Sequence, residues 1–299
     1  MNDNSVFLPV ALLILLFPMI VSLLLLAVRI FNYKKTAYYK ITRLSYLKMK
    51  KDLGRYGEYE TYRLLRRFEA KGARFLFNIY LPRENDKTTE IDVLMIEKNG
   101  VYVFESKNYS GWIFGNESQK TWTQTLPKGR GRKARKECFL NPVWQNKLHI
   151  SALKNVLPDP DVPVYSLIVF SDRCELKNVS LYHNDVSVIH RKDIVSAVKR
   201  CQPSQKSLSE KDINEFYGIL YPYTQVSSAE KQKHIDDIKE ALQSTVSPPA
   251  QSAPSPAVPT PPEEHANTKK NRKYGRRSQR RLSEMRRRVD AQNGKTGIE

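Results

Sequence analysis

At 299 residues the chain is long enough for one sizeable domain with a full core, or two small ones, plus appendages. Lys and Arg number 50 against 31 Asp and Glu, and the net charge of +19 points to polyanionic partners such as nucleic acid or anionic lipid headgroups. Cys138, Cys174 and Cys201 fit neither a disulfide framework nor a CxxC metal site, so a reducing compartment is the natural setting, and none of the five His has a metal-ligand partner at short spacing.

From Val6 to Ile30 the run VFLPVALLILLFPMIVSLLLLAVRI is apolar apart from Ser22 and Arg29, long enough for a helix to cross a bilayer core of about 30 Å. Pro9 and Pro18 are its candidate kink sites. Asp3 precedes it without any Lys or Arg, the run exceeds a signal-peptide h-region of about 7–15 residues, and no small-x-small site follows. Residues 6–30 therefore read as an uncleaved anchor and 31–49 as a basic juxtamembrane segment. Arg29, Lys34, Lys35, Lys40, Arg43, Lys48, Lys50, Lys51 and Arg55 crowd the C-terminal flank, and positive flanks stay cytoplasmic. The expected setting is the inner membrane of a bacterial cell, single-pass, with the N-terminus outside and the rest in the cytosol. Contact of these charges with anionic lipid is a further reading beside topology alone.

Residues 50–224 have the apolar periodicity of a folded domain. DLGRYGEYETYRLLRRFEAKG predicts a helix with Thr61, Leu64, Leu65 and Phe68 on one face and Gly72 as its stop. ARFLFNIYL predicts a strand, TEIDVLMIEKNGVYVFESKNY a hairpin, and GWIFGNESQKTWTQTL a second hairpin. NPVWQNKLHISALKNVL predicts a helix opened by Pro142, VPVYSLIVFS a fully buried strand, and DVSVIHRKDIVSAVKRC a short strand and a helix. Helical segments near 209–220 and 228–243 follow, the latter forming a helical extension over 225–245. Residues 246–264 are a Pro-rich linker that cannot pack a core. The tail, 265–299, reads as disordered and holds eleven Lys and Arg against Glu284 between 269 and 288, suited to nucleic acid or anionic lipid.

Asn99-Gly100 is a strong signal for a two-residue type I′ turn. With these as central residues, Ile96 faces Val103, Leu94 faces Glu105, and Asp92 faces Lys107. Alternation then puts Glu90, Asp92, Glu105 and Lys107 on one face, with Ile91, Val93, Met95, Tyr102 and Phe104 on the other. One reading is an amphipathic hairpin with a solvated Asp92–Lys107 pair. The other is a carboxylate site: Leu94, Ile96, Val101 and Val103 share the polar face, so the carboxylates would resist desolvation unless a cation joins them. A hard divalent ion such as Mg²⁺ needs few carboxylates and keeps several waters, which suits Asp92 and Glu105.

Asp92, twelve intervening residues, then Glu105-Ser106-Lys107 resemble the D…ExK signature of the restriction-endonuclease-like (PD-(D/E)xK) nucleases. The wider text, GEYE…NIYLP…TEIDVLMIEKNGVYVFESKNYSGWIFG…NPVWQNKLHI, resembles the nuclease-related domain, NERD, over about residues 50–170. The resemblance implies an α/β fold with a restriction-endonuclease-like core, a mixed central sheet flanked by helices. It implies Asp92, Glu105 and the helical Glu58 as metal ligands for Mg²⁺ or Mn²⁺, and Lys107 as the residue that positions the attacking water and stabilises charge on phosphorus. Glu90 and Gln145 occupy motif positions as possible accessory residues, and TEI stands before Asp92 where the superfamily's name has proline.

PKGRGRKARK, residues 127–136, reads as a loop whose Lys128, Arg130, Arg132, Lys133, Arg135 and Lys136 could grip phosphates or remain solvated. Trp112, Phe114, Trp122 and Trp144 are better suited to core packing than to base stacking. The expectation is a membrane-anchored, divalent-metal-dependent nuclease acting on nucleic acid, DNA before RNA. The alternative is a non-catalytic nucleic-acid-binding or membrane-associated module that keeps the fold.

Overall fold

An apolar helix, α1 (Asn4–Lys34), runs without interruption through Pro9 and Pro18 in the computed structural model, which describes residues 4–84, 86–127, 133–201 and 207–246. The linker after residue 246, the basic tail, and Lys128, Arg130 and Arg132 lie outside the described residues. From Leu15 to Lys34 the helix is long and apolar enough to cross a membrane, with Leu15, Phe17, Leu23, Leu24 and Val28 exposed along it. Its last turn is different. Tyr33 is 1% exposed, donates its hydroxyl to the Leu44 carbonyl at 2.8 Å, and packs edge-on against Tyr39, Tyr46 and Tyr59 at 5.2–5.5 Å.

Thr36 caps α2 (Ala37–Thr42) and Ser45 caps α3 (Tyr46–Lys51), each side chain accepting a backbone N–H two or three residues into its helix. Tyr38, Ile41 and Met49 from this stretch are buried in the same core as the strands. Asp52 caps α4 (Leu53–Leu65), which tightens into a 3₁₀ turn and stops at Gly72, φ 90°. Thr61, Leu65 and Phe68 are buried as their spacing predicts, and Leu64 half-buried.

Two mixed sheets follow, flanked by helices. The first has the order β1 (Arg74–Pro82), β2 (Thr88–Glu97), β3 (Gly100–Lys107), β7 (Val164–Phe170), β9 (Val186–His190). Its first three strands are antiparallel, and β3, β7 and β9 are parallel. The second sheet has the order β6 (Arg135–Leu140), β5 (Thr121–Leu126), β4 (Gly111–Asn116), β8 (Cys174–Ser180). The parallel pair β3/β7 runs into the parallel pair β4/β8, so both strands leave one sheet and enter the other together. Trp122 and Phe170 stack between them, ring centroids 6.2 Å apart and planes 2° from parallel. Trp122 is fully buried, whereas Trp112 and Trp144 keep over a third of their surface exposed. Helices α5 (Pro142–Val156), α6 (Ile194–Arg200) and α7 (Glu210–Leu220) pack on the first sheet, and α8 (Ser228–Val246) ends the described chain.

The hairpin register corrects the expectation. Leu94 pairs with Val103, Ile96 with Val101 and Glu97 with Gly100, so the turn is Lys98-Asn99 and the register is offset by two. Among the described residues positive φ outside glycine occurs only at Arg43, Asn78 and Asp86, so Asn99 does not adopt the type I′ geometry. Gly100 (φ 137°) is needed for close approach: a Cβ there would run into the Pro163 carbonyl, which accepts the Val101 N–H at 2.8 Å. An offset of two preserves sidedness, so Glu90, Asp92, Glu105 and Lys107 still share a face, but Asp92 no longer opposes Lys107. The 127–136 loop is also shorter than expected, because Arg135 and Lys136 begin β6.

Glu117, in the β4–β5 turn, ties the second sheet to α5. Its carboxylate accepts from Lys147 Nζ (2.8 Å), the backbone N–H of Tyr182 (2.8 Å), and the His183 N–H and ring (3.2 and 2.7 Å). These bonds, Lys147 first, hold its pKa down at about 2 from the ordinary 4.5. A carboxyl depressed in the folded state adds stability above its unfolded pKa and loses it as pH falls through the folded one. Glu117→Gln should therefore lower the thermal midpoint at neutral pH, and the gap to wild type should close between pH 4.5 and about 2. Gly100→Ala should destabilise by about 2–4 kcal/mol, from positive φ and the Pro163 clash together, read by urea unfolding.

Candidate active site

A cleft of about 540 Å³ opens where α4, β2, β3, α5 and α8 meet, and Glu58, Glu90, Asp92, Glu105, Lys107 and Gln145 all line it. One step past the paired Val93 and Phe104, Asp92 faces Glu105 across the hairpin, and its Oδ2 accepts the Ser106 N–H at 2.8 Å. Glu105 is almost fully buried. Its Oε1 lies 2.6 Å from Lys107 Nζ and its Oε2 2.9 Å from His149 Nε2. Lys107 also donates to Gln145 Oε1 at 3.0 Å.

Helix α5 supplies both Gln145 and His149, one turn apart on one face, so a single helix positions the lysine and the carboxylate it pairs with. With Nε2 protonated, His149 donates to Glu105 while Nδ1 accepts the Thr89 hydroxyl at 2.6 Å. Burial would raise the Glu105 pKa, but the Lys107 ammonium and then the His149 contacts overturn that and hold it at about 2. Burial would lower the Lys107 pKa, but Glu105, Tyr109 and Asp92 together outweigh it and hold Lys107 above its usual range. For Asp92, burial raises the pKa well above the carboxylate range, Glu105 and Glu58 add to the rise, and Lys107 opposes it. The pKa values of two neighbouring carboxyls are thus pushed in opposite directions, the arrangement that acid–base and metal sites exploit.

Glu58 enters the cleft wall from α4, which comes close because Gly57 has no side chain: a Cβ there would stand 2.7 Å from that of Asn108. Thr61 and Ser106 hydroxyls meet at 3.2 Å beside it. Both Glu58 oxygens are already used, by Arg55 (3.1 Å), the Tyr38 hydroxyl (3.0 Å) and Asn78 (2.8 Å). Asn78 makes this contact from a left-handed conformation, φ 53°, in the middle of β1, a local cost that only surrounding structure sustains. Glu90 shares the Arg55 guanidinium at 3.1 Å, which gives it a place in the charge network.

Among the described residues no group of three His, Cys, Asp or Glu side chains stands ready to hold a metal ion. Asp92 and Glu105 are a two-carboxylate set on one wall of an open cleft, and the burial and neighbouring carboxylates that raise the Asp92 pKa are what a cation would offset. That donor set fits a hard divalent ion keeping most of its waters.

Of the predicted basic residues that are described, Lys133, Arg135 and Lys136 are exposed and stand outside the cleft lining. Sequence reading missed His149, whose signal was its i+4 spacing from Gln145, and Arg55 and Tyr38, whose roles need the fold. It also missed α8 as a cleft wall. His234 Nδ1 meets the Thr88 hydroxyl at 3.2 Å, and the buried Asp237 Oδ2 on the next turn has no hydrogen-bond partner.

An uncharacterized protein of Bacillus anthracis is 29% identical over 182 residues, which are 61% of this chain and 82% of that protein. No solved structure matches the chain. The family match is to the nuclease-related domain, NERD, and it spans the α4 helix, the hairpin, both strands that carry the D…ExK residues, and α5. Over residues 53–171 the chain is similar to the nuclease-related domain family.

Proposed function

We propose that the protein is a divalent-ion-dependent nuclease, anchored by residues 6–30 in the inner membrane of a bacterial cell with its N-terminus outside. The observation that carries the reading is the Asp92, Glu105 and Lys107 constellation on one wall of one cleft, with Glu105 ion-paired to Lys107 at 2.6 Å. Asp92 and Glu105 would hold Mg²⁺ or Mn²⁺. The ion supplies Lewis-acid polarisation of a phosphoryl oxygen and a lowered pKa for a coordinated water.

Lys107 has three N–H donors, and Glu105 and Gln145 engage two of them. Among the described residues the third has no acceptor and can meet a phosphate oxygen, putting fixed charge where negative charge grows during hydrolysis. Gln145 orients the ammonium and His149 holds Glu105 in place through its buried hydrogen bond. Glu58, with its oxygens already occupied, acts as a positioning residue that anchors α4 to the cleft wall. Exposed Lys133, Arg135 and Lys136 supply sequence-independent phosphate contacts, with DNA the preferred substrate over RNA.

The second reading, a binding module without catalysis, is favoured by one observation: both oxygens of Glu105 and of Glu58 are engaged by protein partners. Two measurements separate the readings. Full-length protein in detergent micelles should cut plasmid or single-stranded nucleic acid with Mg²⁺ or Mn²⁺, and Lys107→Ala should slow it about 10²–10³-fold. Substrates left equally intact by wild type and Lys107→Ala would overturn the nuclease reading. Mn²⁺ should also raise the thermal midpoint of wild type and leave that of Asp92→Asn unmoved, whereas the module reading expects no shift in either.

A further inference from the structure

The parallel strands of the first sheet end abreast: Lys107 of β3 pairs with Phe170 of β7, and Phe170 pairs with His190 of β9. The chain immediately beyond these ends brings Asn108, Arg173 and Arg191 together. Arg173 donates to the Asn108 carbonyl at 2.9 Å and to its Oδ1 at 3.2 Å, and Arg191 donates to the same Oδ1 at 3.3 Å. Two guanidinium groups thus converge on one neutral oxygen. Among the described residues neither forms an ion pair, and Arg191, only 7% exposed, leaves its Nε without any partner. Burial lowers the Arg191 pKa, with nearby Glu60 and Asp172 opposing it incompletely.

A buried cation beside a second cation is costly until an anion joins them. The guanidinium fork matches a phosphate's oxygens, and the space outside the carboxyl ends of parallel strands is where open α/β sheets take ligands. Asn108 also lines the cleft and follows Lys107 directly, so the arginine pair adjoins the reacting position through one residue. Both arginines lie past residue 171, outside the stretch matched to the nuclease-related domain.

We propose that Arg173 and Arg191 form a phosphate subsite for the nucleic-acid strand occupying the cleft, holding a backbone phosphate beyond the one at Lys107. The strand's identity rests on the nuclease reading; the anion subsite rests on the arginine pair.

The test is titration of the full-length protein in micelles, without divalent ion, with a fluorescein-labelled DNA duplex and its single strand across a salt series. Arg173→Gln, at an exposed position, should weaken binding about three- to tenfold irrespective of sequence and lower the salt slope by about one. Arg191→Lys keeps the charge but loses the fork, and should give a smaller loss with the slope nearly unchanged. Thermal midpoints are read alongside. A lowered midpoint with unchanged affinity and slope in Arg173→Gln means a clamp between the strand ends, and overturns the subsite. A loss seen only with phosphatidylglycerol vesicles, DNA binding being intact, overturns it as well. If wild type binds DNA through the arginines yet never cuts it, the nuclease reading falls and the subsite stands. If wild type cuts and Arg173→Gln binds and cuts equally well, the reverse holds.

Discussion

The Ser171 amide donates to the Lys107 carbonyl at 2.9 Å, and the arrangement of the site follows from that bond. It joins β3 and β7 at the last residues they share in the first sheet, before both chains continue into the second. Were β3 to slip by one residue in its pairing, alternation would turn Glu105 and Lys107 to the opposite face. The parallel pairing of β3 with β7 therefore fixes the direction of the lysine, and α5, laid across the same strands, brings Gln145 and His149 to meet it. Gly57 on the other side lets α4 close the wall.

Charge in the cleft is partitioned between two sets of partners. Glu58 and Glu90 are served by Arg55, with Tyr38 and Asn78 completing Glu58. Glu105 is served by Lys107 and His149. Asp92 lies between the sets with a single backbone amide for its own, and burial, with Glu105 and Glu58 nearby, raises its proton affinity. A buried carboxyl beside other carboxylates, with one amide for its own, is the point in the cleft where a cation would relieve most.

Much of this was legible in the sequence because it depends on local periodicity. Alternation along residues 88–107 put four polar side chains on one face, and that survived an error of two residues in the register because faces repeat every two. The error came from treating Asn99-Gly100 as turn chemistry when Gly100 answers to Pro163, sixty-odd residues away and invisible to local pattern. The second sheet was legible only as its β4–β5 hairpin: Cys174–Ser180, rich in polar residues, has little strand signal of its own and is held by parallel pairing with β4. Tyr38, which helps complete the Glu58 site, carries no motif, and Asn78, although it opens the NIYLP text, required a left-handed backbone that sequence does not announce.

The tyrosine cluster at the foot of α1 has a mechanical meaning. Tyr33 is the last turn of the apolar helix and also a fully packed member of the domain core, and only Lys35 and Thr36 separate that helix from α2. A helix welded to its domain this way acts as an axle, not a tether. With α1 in a bilayer, the cleft would keep a constant height above the lipid and a constant bearing about the helix axis. Under the proposed function, search would then be confined to a thin layer beside the bilayer, reached by lateral diffusion, and long polymers would have to be drawn to the surface to be engaged.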